Sequence, residues 1–379
     1  ARSEGRRGLL VPVENAAEAA VVEGLEVIPL QSLHEAADFL SGCSPITPTQ
    51  INTRTLFEKS ARTNEDLCEV KGQETVKRAL EISAAGGHNL ILIGPPGSGK
   101  SMLAKRLRSI LPPLTLNESL ETTRIHSVAG LLEPNQALVT QRPFRSPHHT
   151  ASDAGLLGGN VRPSPGEISL SHHGVLFLDE LPEFRRSVLE TMRQPLEDGR
   201  VTISRAAGTM TFPSEFMLVA AMNPTPDGKT PGESNSTPRE IQNYLGRISG
   251  PLLDRIDLHI EVPPVKFREM SSSNSGETSA VIRERVLKAR DIQNLRWSGS
   301  PTCNARMQSR DLQTWCTMDD TTQNLLRRAM EELELSARAY DRILKVSRTI
   351  ADLANSQTIT AEHVSEAIQY RTLDRQIWV

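Results

Sequence analysis

The sequence predicts an α/β fold, a doubly wound parallel sheet followed by a small all-α domain. Three observations predict it. Asn89–Ile93, Val175–Leu178 and Phe216–Ala221 are short apolar runs, the pattern of strands buried on both faces of a parallel sheet. Segments with helical spacing lie between these runs, as a βαβ arrangement requires. Beyond residue 278 the apolar spacing is helical throughout.

The chain begins with a strand at Leu9–Val13, an alanine-rich helix at Asn15–Gly24, a strand at Leu25–Leu30 and a helix at Ser32–Ser41. This αβ piece, residues 1–42, is too short to hold a core of its own. Because the chain opens on Ala1, the piece is expected to end a larger domain. Residues 43–69 open with prolines, a cysteine and Ser/Thr residues and read as a linker. The α/β core is expected over 70–265. In it, Val76, Leu80 and Ile82 mark a helix over Gly72–Ala84 that Gly86 and Gly87 end. Residues 200–212 read as a β-hairpin with Val201, Ile203, Met210 and Phe212 on its arms and Arg205 to Gly208 at its turn. Residues 266–300, with the polar stretch Ser271–Thr278, read as linker and connecting helix. Residues 301–379 form the all-α domain, with amphipathic helices at Thr322–Leu333, Ala339–Leu353 and Ala361–Tyr370 and Thr360 as an N-cap.

Composition narrows the function. With 43 basic and 46 acidic side chains among 379 residues, the net charge is −3, which argues against a wholly basic nucleic-acid binder but leaves room for a local basic channel. Cys43, Cys68, Cys303 and Cys316 form no close pair, so neither a disulfide framework nor a thiolate zinc site is expected, and a reducing cytoplasmic setting is. No run reaches the ~18 apolar residues that span a bilayer. The first lysine is Lys59, so residues 1–42 hold no Ser–Lys protease dyad.

Gly94-Pro95-Pro96-Gly97-Ser98-Gly99-Lys100-Ser101 matches the phosphate-binding loop G-x-x-x-x-G-K-[ST], and it lies between an apolar strand and a helix, the context the motif needs. Its backbone N–H groups cradle phosphates, Lys100 neutralises the β- and γ-phosphates of ATP, and Ser101 ligates Mg²⁺. Asp179 and Glu180 follow the run 175–178, at the carboxyl end of a strand where ligands of such sheets bind. Asp179 suits a Mg²⁺ contact and Glu180 a general base for water. The bland alternative for this pair is a helix cap. Asn223, after the run 216–221, either orients the water or starts an Asn-Pro turn.

Longer strings carry a resemblance: Pro143–Ser152, Gly166–Phe184 and Ile248–Asp257. The chain resembles the AAA+ ATPases of the magnesium-chelatase-like branch, specifically the ComM/YifB family of competence-associated hexameric helicases. The resemblance implies an AAA+ core, a lid domain over 301–379 and a remnant of a Lon-like N-terminal domain over 1–42. It makes Asp179 and Glu180 the Walker B pair, Asn223 sensor 1, Arg255 an arginine finger reaching a neighbour's ATP, and Arg338 the sensor 2 arginine. The register of Arg338 against Arg342 stays open, and a surface ion pair is the alternative for each arginine. The excess over Leu111–Gly166 resembles a helix-2 insertion, and the hairpin resembles those that line translocase pores. Arg205 and Arg145 are then candidate phosphate contacts on single-stranded or branched DNA. The implied activity is a homo-hexameric ATP-driven motor for branch migration and strand integration during natural transformation. The alternative is a chelatase-type motor that remodels a protein partner.

The family carries a cysteine-rich loop after sensor 1. Here Thr225 to Gly228 and Ser234 to Ser236 stand in its place, so a tetrathiolate metal site is excluded. The histidine pairs 148/149 and 172/173 read as structural or interface residues, since neighbours on a strand face opposite ways.

Overall fold

The computed structural model describes residues 1–22, 24–52, 57, 65–133, 136–159, 163–205, 208–230, 232–265, 276–297 and 302–373. Lys59, the hairpin-turn residues Ala206 and Ala207, and linker residues 271–275 lie outside the described residues. The chain divides into two compact units, Ala1–Thr63 with Pro113–Arg142, and Asn64–Pro112 with Pro143–Val379.

In the first unit, β1 (Gly8–Pro12) and β2 (Glu26–Leu30) pair in parallel across the helix Val13–Ala19. Ser32 caps the helix Leu33–Leu40 by accepting from Glu35 N at 3.2 Å. The helix Leu116–Val128 starts from a Thr115/Glu118 capping box, and Arg142 grips the Glu118 carboxylate at 3.1 Å. Val21, Ala137 and Leu138, with Leu120 beside them, form the small core. Pro113–Arg142, read from sequence as part of an insertion in the α/β core, thus groups with the N-terminal segment.

The second unit is built on a five-stranded sheet. Its order is β4 (Phe144–Arg145), β5 (Val175–Leu178), β8 (Met217–Met222), β3 (Leu90–Ile93), β9 (Leu258–Glu261), and every pairing is parallel. Residues along β3 alternate between two cores. Leu90 and Leu92 join one with Phe177 and Val219, while Ile91 and Ile93 join the other with Leu178 and Ala220. Both faces are covered, so the strands are apolar throughout, and each fully buried leucine or isoleucine contributes roughly 1.5–3 kcal/mol. Strands β4 and β9 were not anticipated: one has two residues, and His259 and Glu261 interrupt the apolar pattern of the other.

β6 (Arg200–Arg205) and β7 (Gly208–Pro213) form the antiparallel hairpin, with Val201, Ile203 and Phe212 in the core. Its outer face carries a hydroxyl ladder, Thr202 with Thr211 at 3.1 Å and Ser204 with Thr209 at 3.0 Å. The C-terminal helices Ser279–Arg296, Asp320–Glu332, Ala337–Leu353 and Ala361–Gln369 do not make a separate core. Val286, Ile343, Val346 and Val364 belong to the same cluster as Leu92 and Val219 of the sheet. The P-loop AAA+ type of core and the helical C-terminal part are therefore both present, with continuous packing between them.

Candidate nucleotide site

The loop 94–99 leaves the carboxyl end of β3 and enters the helix Lys100–Ile110. Two backbone requirements explain its glycines. A Cβ on Gly94 would stand 2.2 Å from the Val262 carbonyl oxygen, and Gly97 and Gly99 have φ of 76° and 91°, where side chains are strained. Gln73 braces the loop from outside, donating to the carbonyls of Ser98 and Pro263 at 2.9 Å each.

Lys100 Nζ donates to the carbonyl oxygens of Gly94 at 2.7 Å and Pro95 at 2.9 Å, and to Asn223 Oδ1 at 3.2 Å. Burial pushes its pKa below that of an ordinary lysine, against the pull of Asp179 and Glu180. Ser101 Oγ donates to Asp179 Oδ2 at 2.6 Å. Asn223 directly follows β8, and Tyr244 OH donates to its backbone carbonyl at 3.3 Å. Burial raises the Tyr244 pKa to about 12, so it stays a donor. Together Pro96, Gly97, Lys100, Ser101, Asp179, Glu180 and Asn223 line one open pocket of about 320 Å³.

The donor set at its floor, a serine hydroxyl touching an aspartate carboxylate, is the hard oxygen chemistry Mg²⁺ takes. Glu180 sits just past β5 with φ of 52°, a left-handed backbone rare for glutamate and common at functional sites. His149 Nδ1 lies 3.1 Å from Glu180 Oε2. Neither histidine pair lies on a strand, which corrects the geometry assumed for them: the ring centroids of 148/149 lie 4.1 Å apart with the planes tilted by 35°, and those of 172/173 lie 3.8 Å apart, tilted by 38°. His172 is buried and accepts from Glu215 N at 3.0 Å, a structural role.

The four arginines do not line this pocket. Arg145 pairs with Glu167 through Nε at 2.6 Å and Nη2 at 2.7 Å, a bidentate contact. Arg205 is exposed near the hairpin turn. Arg255 is buried and ion-paired with Glu197, and it also donates to the Pro251 carbonyl. Arg338 donates to Asp254 Oδ2 at 3.1 Å, and Arg342 to Asp257 Oδ1 at 2.8 Å. The helix Ala337–Leu353 thus grips the segment on either side of Arg255.

In the loop after Asn223, a carboxylate organises the backbone. Asp227 accepts from Thr225 Oγ1 at 2.7 Å, Ser234 Oγ at 2.7 Å and Asn235 N at 2.9 Å. Hydrogen bonds from Ser234 and Thr225 hold its pKa well below the usual carboxylate range.

Comparisons with known proteins agree with this architecture. The family pattern of magnesium chelatase subunit ChlI matches residues 66–270, and that of the ChlI C-terminal region matches 276–371. The chain is 46% identical over 378 residues to the competence protein ComM of Haemophilus influenzae, covering 99% of this chain and 74% of that one. It is 43% identical over 374 residues to the uncharacterized protein YifB of Escherichia coli, covering 97% and 72%. A more distant likeness, 25% over 222 residues, is to the magnesium-chelatase 67 kDa subunit of Heliobacterium mobile, covering 51% and 30%. No helix among the described residues is long and apolar enough to cross a membrane. A phosphate loop, an acidic pair and an asparagine converging at the ends of β3, β5 and β8, with this identity over nearly all of its length, establish that the chain belongs to the ComM/YifB family of magnesium-chelatase-like AAA+ proteins.

Proposed function

We propose that the chain is the ATPase of a ring motor that acts on DNA, as a helicase for branch migration or strand integration in transformation. One observation carries the ATPase reading: Lys100, Ser101, Asp179, Glu180 and Asn223, far apart in sequence, line the same pocket. The DNA reading rests on the 46% identity to a competence protein and on the exposed hairpin with Arg205.

In this reading the loop amides and Lys100 bind the ATP phosphates. Ser101 and Asp179 hold Mg²⁺, which would neutralise phosphate charge. Glu180 takes the proton of the attacking water, and Asn223 orients that water. Arg255 serves a neighbouring protomer's site, exchanging its Glu197 carboxylate for the γ-phosphate, and Arg338 acts on the nucleotide as sensor 2. Activity would then require a ring, in this reading a homo-hexamer.

The likeness to magnesium-chelatase subunits favours a second reading, a motor that remodels a protein partner. Steady-state ATP hydrolysis with single-stranded, duplex and four-way-junction DNA, with Glu180→Gln as control, separates the two. Several-fold stimulation by DNA that the variant lacks supports the DNA motor, and hydrolysis indifferent to every DNA supports the second.

A further inference from the structure

We infer that Glu197 is a latch on Arg255: its carboxylate holds the finger back from the neighbouring site, and movement of the β6–β7 hairpin opens it. The inference rests on Arg255 being the finger and deepens that reading. Glu197 touches neither nucleotide nor water in it and is a positioning residue.

The contact carries the first part. Arg255 Nη2 donates to Glu197 Oε1, and Nη1 donates to the Pro251 carbonyl. The arginine side chain is 7% exposed and the glutamate 56%. A guanidinium keeps its charge at any ordinary pH, so once buried it needs an anion. Among the described residues, Glu197 is the carboxylate that supplies it. Arg255 Nε is buried as well and has no hydrogen-bond partner among the described residues, so the fork has a donor to spare for a further oxygen. A phosphoryl group offers more oxygens and more charge than a carboxylate. It can take the guanidinium, while half-exposed Glu197 swings into water. Until then the carboxylate competes with it.

Placement carries the second part. Glu197 lies in the short helix Arg193–Asp198, and Gly199, with φ of 63°, turns the chain from that helix into β6. Gly199 N donates to the Pro195 carbonyl at 3.0 Å, and its own carbonyl accepts from Ser214 N, just past β7, at 2.8 Å. Helix and hairpin base are thus fastened together. Arg255 rides on a different support, since Asp254 and Asp257 on either side of it are held by Arg338 and Arg342. Between the two supports lies an open pocket of about 440 Å³, with Arg200 and Thr202 of β6, Arg193 and Glu197 of the helix, and Arg255 in its wall. A load on the exposed side of the hairpin, where Thr202, Ser204 and Arg205 stand, therefore moves Glu197 relative to Arg255.

The test measures steady-state ATP hydrolysis of the parent, Glu197→Gln and Glu197→Asp, with and without single-stranded DNA. Protein is kept at a concentration where the rate per protomer no longer changes, and folding is checked by thermal melting. Glu197→Gln keeps the shape and loses the charge. It should raise the DNA-free kcat by about 3- to 10-fold, the size of one half-exposed charge-assisted hydrogen bond, with KM unchanged. The DNA-saturated kcat should stay within about twofold, so stimulation by DNA largely disappears. Glu197→Asp, one methylene short, should fall between the two. In an Arg255→Ala background Glu197→Gln should change nothing, because it acts through that arginine. A folded Glu197→Gln with the parent's DNA-free kcat or a lower one, or a double variant faster than Arg255→Ala, overturns the latch. A raised DNA-free rate with the parent's full stimulation ratio overturns its link to the hairpin. Were the parent indifferent to DNA, the DNA reading would fall and the DNA-free rates would still decide the latch. Were Arg255→Ala fully active, the finger assignment would fall, and the latch with it.

Discussion

Ser101 Oγ donates to Asp179 Oδ2 at 2.6 Å, tying the start of the helix after the phosphate loop to the carboxyl end of β5. The two groups come from different βα units, yet the parallel sheet brings both strand ends to one crevice. Asp179→Asn should therefore raise the Mg²⁺ concentration for half-maximal ATP hydrolysis by about tenfold or more, the usual cost of losing a metal-site carboxylate or its support. Titration of hydrolysis with Mg²⁺ at saturating ATP reads this directly. Lys100→Ala, in contrast, should abolish nucleotide binding at any Mg²⁺ level.

Arg255→Ala should bind ATP normally and lose hydrolysis, because its own pocket is lined by other residues. A mixing experiment is more telling than the single variant. Lys100→Ala protomers keep the finger but cannot bind nucleotide, and Arg255→Ala protomers do the reverse. If the finger acts between subunits, mixtures of two inactive proteins should regain part of the activity. Mixtures that stay inactive would count against it.

Arg338 and Arg342 should separate in the same assay. Arg338 is largely exposed and pairs with partly exposed Asp254, so Arg338→Ala should melt within a few degrees of the parent. Arg342→Ala strips a partner from Asp257, which is 1% exposed, and should lower the melting temperature clearly. A larger effect on hydrolysis from Arg338→Ala, with little loss of stability, would mark Arg338 as sensor 2.

Asp227 holds its loop through three donors, so Asp227→Ala should loosen residues 225–236 without unfolding the sheet. Limited proteolysis, with cleavage mapped by mass spectrometry, should show this loop cut faster while the melting temperature moves little. The cohesion of this loop then rests on one carboxylate.

Stability should decline in mild acid through His88. The ring is fully buried, lies 3.4 Å from Asp257 and hydrogen-bonds Thr349 Oγ1 at 2.7 Å. Burial keeps its pKa below that of a free histidine, against the pull of Asp257. The fold thus prefers the neutral ring, a contribution present above the unfolded value of about 6.5 and lost as pH falls below it, by up to about 1.4 kcal/mol per pH unit. Asp257 acts in a lower window. Burial disfavours its charge, but Arg342 and His88 outweigh that and hold its pKa well below the usual range, so its contribution is present above about 4 and fades only on stronger acidification. Urea unfolding from about pH 8 to about pH 5 should show the first decline, and His88→Gln should flatten it.

Local patterns sufficed for the parts of the molecule that obey local rules. Buried parallel strands are apolar throughout and a phosphate loop needs its glycines, so β3, β5, β8 and the residues 94–101 are legible from a few neighbours. The pairing of Asp179 and Glu180 with Lys100 followed too, because strand ends in such a sheet share one edge. The short strands β4 and β9 escaped, having too few residues to show a period. Two of the arginines show most clearly where local reading stops. A guanidinium looks the same in sequence whether it meets Glu167, as Arg145 does, or Glu197, as Arg255 does.

The sequence by itself determined the fold class, the family and which residues line the candidate nucleotide pocket, because each is encoded in short-range periodicity or in contiguous motifs. Only the tertiary structure decided which charges were already spent and that His149 stands beside Glu180. Both depend on pairings between segments tens of residues apart, set by sheet register and packing rather than by any local pattern.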